Sequence, residues 1–222
     1  MVKTTPMGWL AAMPAGFRNE VLCRAEMRRA EAGQPLYLLG EDARGLYGLT
    51  EGIVEVSIAD APGVSGLIYL ARRGWWFGAL EIFTTRPRRF HIQARTDCDL
   101  LYVPAAQVRK ICSMAPDYWE YFARLMCGNY EAMADAVAMM RDPSPDRRVA
   151  TALFILYLRQ TEPSPRIEAT QPDIASIANV SLRSAASALA RMEKDRLVKR
   201  GYGTVDILDP DRLSQSIGSD IQ

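Results

Sequence analysis

Along the last third of the chain the apolar positions fall at helical spacing. Residues 173–178 form a short helical run that puts Ile174 and Ile177 on one face. Asn179 follows, where a tight turn needs a residue that tolerates a left-handed backbone. Ser181 then fits an N-cap, and an Ala-rich helix is predicted from about 182 to 194. Ala185, Ala188, Leu189 and Met192 recur at i, i+3, i+4 and i+7, which makes one buried stripe. Arg183, Ser184, Ser187 and Arg191 fall on the opposite side. Small residues on the buried side let two helices cross closely, as a helix-turn-helix requires. Short strands at 197–200 and 204–207 enclose the turn Gly201-Tyr202-Gly203 and form a wing.

Upstream the period changes. From 34 to 104 short apolar runs alternate with Gly and Asp turns: LYLLG, LYGLTEG, IVEVSIA, GLIYLARRG, HIQARTD, CDLLYVP. The regular spacing predicts an antiparallel barrel or roll, cornered at Gly40, Gly45, Gly52, Gly63, Gly66, Gly74 and Gly78. Before it, residues 17–30 read as a helix with Phe17, Val21 and Leu22 as its apolar positions. After it come a short helix at 105–113 and a long one at about 117–141. Phe122, Met126, Asn129, Met133, Ala136 and Met140 are spaced 4, 3, 4, 3, 4, the stripe of a coiled coil. Over about 24 residues such a helix is roughly 36 Å long. Either the stripe pairs with a second copy, with Asn129 fixing the register, or a monomer buries it against the roll. Pro143 and Pro145 break the helix and predict a boundary and hinge. The expected domains are therefore 1–142 and 146–222, the second opening with a helix at 147–159 and a short strand at Ile167. The fold class expected is α+β, an antiparallel β-roll with a long dimerisation helix followed by a winged helix-turn-helix.

Composition adds a contrast. The chain of 222 residues is nearly neutral, 27 Lys/Arg against 26 Asp/Glu, with the 49% hydrophobic content of an ordinary globular protein. Between Ser181 and Thr204, however, six Lys/Arg face two Asp/Glu. A local basic excess on a helix and its wing is the electrostatic footprint of phosphate binding, which a hairpin that only packs would not need. No apolar run is long enough to span a membrane, so no membrane partner is expected. The apolar N-terminal patch is broken by Pro6, Pro14 and Gly16 and lacks the layout of a signal peptide. Cys23, Cys98, Cys112 and Cys127 have no metal spacing and read as free thiols of a reducing cytoplasm, with redox sensing the alternative. One histidine, no nucleophile–base pair, no metal-ligand cluster and no P-loop argue against an enzyme.

The order of roll, long helix, hinge and winged helix-turn-helix resembles the Crp–Fnr family of bacterial transcription regulators. GEDARGLYGLTEGIVEV is similar to its opening roll signature and GWWFGALEIFTTRPRR to its phosphate-binding cassette. APDYWEYFARLM is similar to the start of its dimer helix, and DIASIANVSLRSAASALARMEKDRLV to its helix-turn-helix. The resemblance implies a homodimer, paired through helix 117–141, on a two-fold-related site in double-stranded DNA. The recognition helices would enter successive major grooves about one helical turn apart. Ser181 and Ser184 would hold phosphates, while Leu182, Arg183 and Ser187 occupy positions that face base edges. Arg183 is the candidate for a bidentate contact to guanine, or otherwise for a phosphate contact. Lys199, Arg200 and Thr204 would be wing contacts to the DNA backbone. An activator of this family also touches RNA polymerase, and no motif reports that contact.

The effector is where the chain departs from the family. In cyclic-nucleotide-binding relatives a Gly-Glu pair holds the ribose, and an Arg followed by Ser or Thr holds the cyclic phosphate. Here the matching pairs are Gly78-Ala79 and Arg88-Arg89, and Met133 stands near the dimer-helix position that offers a hydroxyl to the base. The pocket residues are thus expected to be Gly78, Ala79, Leu80, Glu81, Arg88, Arg89 and Met133, a set that argues against cAMP or cGMP. Glu81 would share the side of Ala79 in an extended segment but not in a helix. Arg86, Arg88 and Arg89 beside Trp75, Trp76 and Phe77 suit a small anion with an apolar body; otherwise the arginines are solvated and the aromatics are core. Cys23 alone does not supply an iron–sulfur cluster. His91, the only candidate haem ligand of its type, sits in a predicted strand and reads as structural. The expectation is a DNA-binding regulator with a degenerate or repurposed pocket, the alternative a cAMP- or cGMP-dependent one.

Overall fold

A computed structural model describes residues 5–61, 64–160 and 164–218; the predicted corner at Gly63 lies outside them. Contacts divide the chain into two compact units. The first comprises residues up to 131 without 66–70, the second residues from 132 onward together with 66–70. The division falls inside the long helix rather than at the prolines that follow it.

The first unit opens with a 3-10 helix, Gly8–Ala12, and α1, Ala15–Cys23. Eight strands follow among the described residues: β1 (Glu26–Ala30), β2 (Pro35–Tyr37), β3 (Gly45–Glu51), β4 (Val54–Ala61), β5 (Val64–Ala71, whose residues 66–70 group with the second unit), β6 (Trp76–Phe77), β7 (His91–Ala94) and β8 (Cys98–Pro104). Between β6 and β7 lies α2, Ala79–Thr84. They form two four-stranded sheets, ordered β1-β8-β3-β6 and β2-β7-β4-β5, and every recorded pairing is antiparallel. The predicted roll is present. Its core joins Leu46, Trp76, Leu101 and Val103 of the sheet to Leu10, Phe17 and Val21 from the N-terminus. α3, Ala105–Cys112, and the first part of α4 (Asp117–Arg141), up to residue 131, close the unit, with Phe122 and Leu125 of α4 buried in the same core.

The helix predicted over 17–30 is corrected: it stops at Cys23, and residues 26–30 are strand β1. Four of the five side chains of β1 are exposed, so no period-2 alternation marked it. Its conformation comes from pairing with β8, Glu26 opposite Tyr102 through Ala30 opposite Cys98. Arg28 lies over the Tyr102 ring, 3.3 Å from its centre.

In the second unit α5, Pro145–Leu158, is buried on nearly all sides from Val149 to Leu156 and forms the hub. Its N-cap Ser144 accepts from the Arg147 amide. Arg159, just past its end, donates to Asp135 of α4 at 2.6 Å. Around it pack α6 (Gln171–Ile177), α7 (Leu182–Lys194) and α8 (Pro210–Ile217). A three-stranded sheet is ordered β10 (Val198–Arg200), β11 (Val205–Ile207), β9 (Arg166–Ile167). Thr170 and Asp173 form a reciprocal capping box at the start of α6.

Gly8 has φ +56, and a Cβ there would overlap the Gly74 carbonyl oxygen and lie 2.7 Å from its carbon. Both groups are backbone and cannot step aside. Gly8→Ala is expected to lower stability by about 1–3 kcal/mol, the usual cost of overpacking. A denaturant midpoint equal to that of the parent would show that the N-terminal segment does not dock on the roll.

Candidate nucleic-acid interface and effector pocket

The helix-turn-helix forms as its sequence dictates. Asn179 takes φ +50 at the turn. The Ser181 hydroxyl accepts from the Ser184 amide at 3.1 Å and caps α7. Ala185, Ala188, Leu189 and Met192 are all buried. Small side chains on that stripe bring α7 against α5 and α6 and leave Leu182, Arg183 and Ser187 exposed. Ser184 is half-buried and shares a hydrogen bond of 2.8 Å with the Ser181 hydroxyl. Five of the eight residues expected at the DNA are therefore at one end of one helix, three outward and two serines partly spent on the cap.

Two of the six cations in this region are committed internally. Arg191 binds Asp146 through Nε at 2.8 Å and Nη2 at 2.5 Å, tying α7 to the start of α5. Arg200 binds Glu193 through Nε at 2.8 Å and Nη2 at 2.6 Å, and its amide donates to the same carboxylate at 2.9 Å. This clamp fixes the wing to the recognition helix. The Arg200 amide, then its guanidinium, hold the Glu193 carboxyl below its usual range. The clamp's contribution is complete above the unfolded carboxyl pKa and is lost as pH falls through the lowered one, so it is intact at neutral pH. Arg200, expected from sequence as a wing contact to the DNA backbone, has both its guanidinium and its amide on Glu193. No local spacing rule links a helix carboxylate to a strand seven residues on, as in Glu193–Arg200, or Asp146 to an arginine 45 residues away, so neither pair is legible in sequence. Lys199 and Tyr202 are exposed and Thr204 half-buried.

The residues expected around the effector do not stay together. Gly78, Glu81 and Arg88 converge; Leu80 and Arg89 point to solvent. Ala79 is buried in the core, and Met133 is half-buried on α4. Arg88 is only 2% exposed and Glu81 3%. The Arg88 guanidinium donates from Nη1 to Glu81 at 2.9 Å and to the Gly78 carbonyl at 2.9 Å, and from Nη2 to the Gly45 carbonyl at 2.7 Å. It lies 4.2 Å from the centre of the Tyr37 ring. Its main chain is held too: the amide donates to the Glu41 carbonyl at 2.8 Å, and its carbonyl accepts from Gly40 at 2.9 Å. Nε is left without a partner among the described residues. Gly78 must be glycine here, because at φ +90 a Cβ would stand 2.8 Å from Arg88 Nη1.

Of the two readings of the arginine cluster, neither holds whole. Arg86 and Arg89 are exposed and Arg88 is interior. Trp76 is core, and Phe77 stacks between Tyr47 and Trp75 at 5.3 and 4.6 Å. Glu81 is helical and so leaves the side of Ala79, turning instead to Arg88. His91 lies in β7 beside Gln93, as expected of a strand residue. Burial pushes the Cys98 thiol up and the Cys112 thiol up to about 11, so both are protonated at neutral pH; Cys23 and Cys127 are exposed.

On the long helix, the start of the predicted stripe packs against the roll. Phe122 of the predicted stripe is buried in this chain's own roll, and the Asn129 amide donates to the Trp76 carbonyl at 3.2 Å. The Asn129 amide nitrogen is thus engaged within its own chain. A different set stands outward at the same 3, 4 spacing: Cys127, Tyr130, Ala134, Val137 and Arg141, with Tyr130 73% and Val137 58% exposed. Cysteine and alanine in that set make it the weaker hydrophobic signal in sequence.

These features define a winged helix-turn-helix protein with a nucleotide-binding type of roll. Residues 27–114 match the family model of the cyclic nucleotide-binding domain, and residues 147–216 that of the Crp-like helix-turn-helix domain. Together they take in well over half of the chain, which belongs to the Crp–Fnr family of DNA-binding transcription regulators. The fold is shared with FixK2 from Bradyrhizobium japonicum, at TM-score 0.77 and 18% identity over 86% of this chain and 96% of that one. It is shared with the c-di-GMP-responsive regulator CLP of Xanthomonas campestris, at 0.70 and 16% over 88% and 100%. A Crp-family regulator from Thermus thermophilus matches at 0.69 and 22% over 88% and 98%. No match was found among curated proteins.

Removing Glu81 would leave a buried guanidinium without its counter-charge. Glu81→Ala is expected to cost about 3–5 kcal/mol, and the double variant Glu81→Leu/Arg88→Met to recover most of it. Urea unfolding of the three proteins checks this; an unchanged midpoint for Glu81→Ala would mean that the pair is solvated.

Proposed function

We propose that this regulator acts as a homodimer on a two-fold-related DNA site and needs no cyclic nucleotide to do so. The observation that carries the second half is the buried Arg88–Glu81 pair. The cation that would meet a ligand's phosphate already has a carboxylate and two carbonyls of its own chain. Ala79 offers no carboxylate to a ribose, and Glu81 is turned away from that role. The domain boundary is placed at 142–146 on this reading, with a cytoplasmic location.

Pairing would run along Cys127, Tyr130, Ala134 and Val137, the apolar set that α4 leaves uncovered. In α7, Arg183 and Ser187 face base edges with Leu182 beside them, while Ser181, Ser184, Lys199 and Thr204 meet the phosphate backbone. Arg183 is exposed at the N-terminal end of the reading helix, where bidentate contact to guanine is the commonest specific contact. A second reading, a cyclic-nucleotide-dependent regulator, is favoured by the match of residues 27–114 and by the free Arg88 Nε, a donor still open to a small anion.

Selection from a random duplex library by the full-length protein is expected to return a palindrome with half-sites about one helical turn apart. Arg183→Ala should then lose about 1–3 kcal/mol on that palindrome and relax one position in each half-site. Enrichment of no duplex, or equal binding by Arg183→Ala, would refute the assignment. Mild copper-catalysed oxidation is expected to crosslink two copies through Cys127. The crosslink should vanish in Cys127→Ser and persist in Cys23→Ser; the reverse pattern would place the two-fold axis elsewhere.

A further inference from the structure

We propose that α2, the short helix that carries Glu81, takes part in the contact between two copies of this chain. Leu80 and Phe83 of α2, together with Trp119 of α4, would pack against the second copy. This rests on the homodimer reading and extends it from the long helix to the helix that holds the counter-ion of Arg88.

Successive residues of a helix are about 100° apart, and on that count the first half of α4 divides into three faces. Tyr118, Tyr121, Phe122, Leu125 and Asn129 turn to the roll. Asp117, Glu120, Arg124 and Glu131 form a charged face, on which Arg124 donates to Glu120 at 2.6 Å. Between these faces Trp119, Ala123, Met126, Cys127 and Tyr130 fill an arc of about 100° that carries no charge. Trp119 opens this strip and is 51% exposed.

α2 widens the strip sideways. The Phe83 ring meets Trp119 at 5.1 Å and Phe122 at 5.7 Å between centres. Leu80, one turn before Phe83 on the same helix, was expected in the effector pocket but is 48% exposed. Single exposed apolar side chains are ordinary; a large contiguous apolar surface built from two elements marks an interaction site. The other side of α2 faces inward, with Glu81 on Arg88 and the Ile82 carbonyl accepting from Arg109 at 2.6 Å.

The occupant is a second copy for two reasons. The strip runs from Trp119 without a break into Cys127 and Tyr130, the positions already assigned to pairing. A stable interface also takes about 800 Å² and about 20–30 residues from each partner, which a stripe holding a cysteine and an alanine does not reach alone. An apolar centre edged by the Glu120–Arg124 pair has the anatomy of a protein–protein contact, and it offers nothing to a phosphate backbone. A helix as short as α2 is not stable by itself. Covering its outer side would steady the element whose inner side neutralises Arg88, so assembly and the closed state of the effector domain would support each other.

Sedimentation equilibrium of the full-length protein over a dilution series reads the dimer dissociation constant. Trp119→Ala is expected to raise it about a hundredfold and Leu80→Glu at least about tenfold, because each loss is felt in both copies. Arg124→Ala, on the charged face of the same helix, should stay within about twofold of the parent. Both patch variants should keep the circular dichroism of the parent, since their side chains stand half in water. Amide hydrogen exchange of the unaltered protein needs no substitution: the α2 amides should exchange more slowly above the dissociation constant than below it. Parent-like dissociation constants for both patch variants, with α2 exchange independent of concentration, would overturn the proposal and leave the homodimer standing. So would an apolar dye that binds the assembled dimer and is lost in Trp119→Ala, because the patch would then be open to a different partner. A parent protein that stays monomeric at every concentration would refute the homodimer reading itself, and this proposal with it.

Discussion

Arg88 is the residue around which the effector domain closes. A guanidinium taken out of water must be neutralised and hydrogen-bonded, or it destabilises the fold that buries it. Here the requirement is met by Glu81 from α2, Gly78 at the cap of α2, Gly45 at the head of β3 and the Tyr37 ring of β2. The backbone of Arg88 joins the loop at Gly40 and Glu41 as well. Arg88 therefore ties together two stretches that are distant in sequence, residues 37–45 and 78–88. A ligand taking up Nη1 and Nη2 of this arginine would have to displace these contacts; Nε alone has none among the described residues.

The DNA-binding unit follows the same logic on its surface. Its basic excess is real in sequence, but the charges divide by task. Arg191 and Arg200 hold α7 to α5 and to the wing, while Arg183 and Lys199 stand outward. Exposed ion pairs of this kind contribute little to stability, typically below about 1 kcal/mol each. Their use is positional: α7, the wing and the opening of α5 behave as one reading head.

Elements governed by local rules were legible in the sequence. Asn179, the Ser181 cap and the stripe from Ala185 to Met192 follow from turn chemistry and helical period, and the structure places each accordingly. The strands of the roll were legible as apolar runs between turns. What stayed hidden depends on distant partners. Strand β1 has no alternation of its own and exists because β8 offers a free edge. For the stripe on α4, sequence cannot tell whether Phe122 and Asn129 meet their own roll or another copy; in the structure both contact the roll. The Arg88–Glu81 pair was half visible. Both residues were singled out, but their pairing turned on whether 79–84 was helix or strand, and on Gly45, which no motif linked to them.

The measurement that bears most directly on this account is the DNA affinity of nucleotide-free protein, followed by fluorescence anisotropy across a salt series with and without saturating cAMP. Tight, salt-sensitive binding that is the same in both arms is the result predicted for a domain that supplies its own counter-ion to Arg88. Binding that appears only when cAMP is added would contradict it, and would mean that the Arg88–Glu81 pair opens to admit the nucleotide.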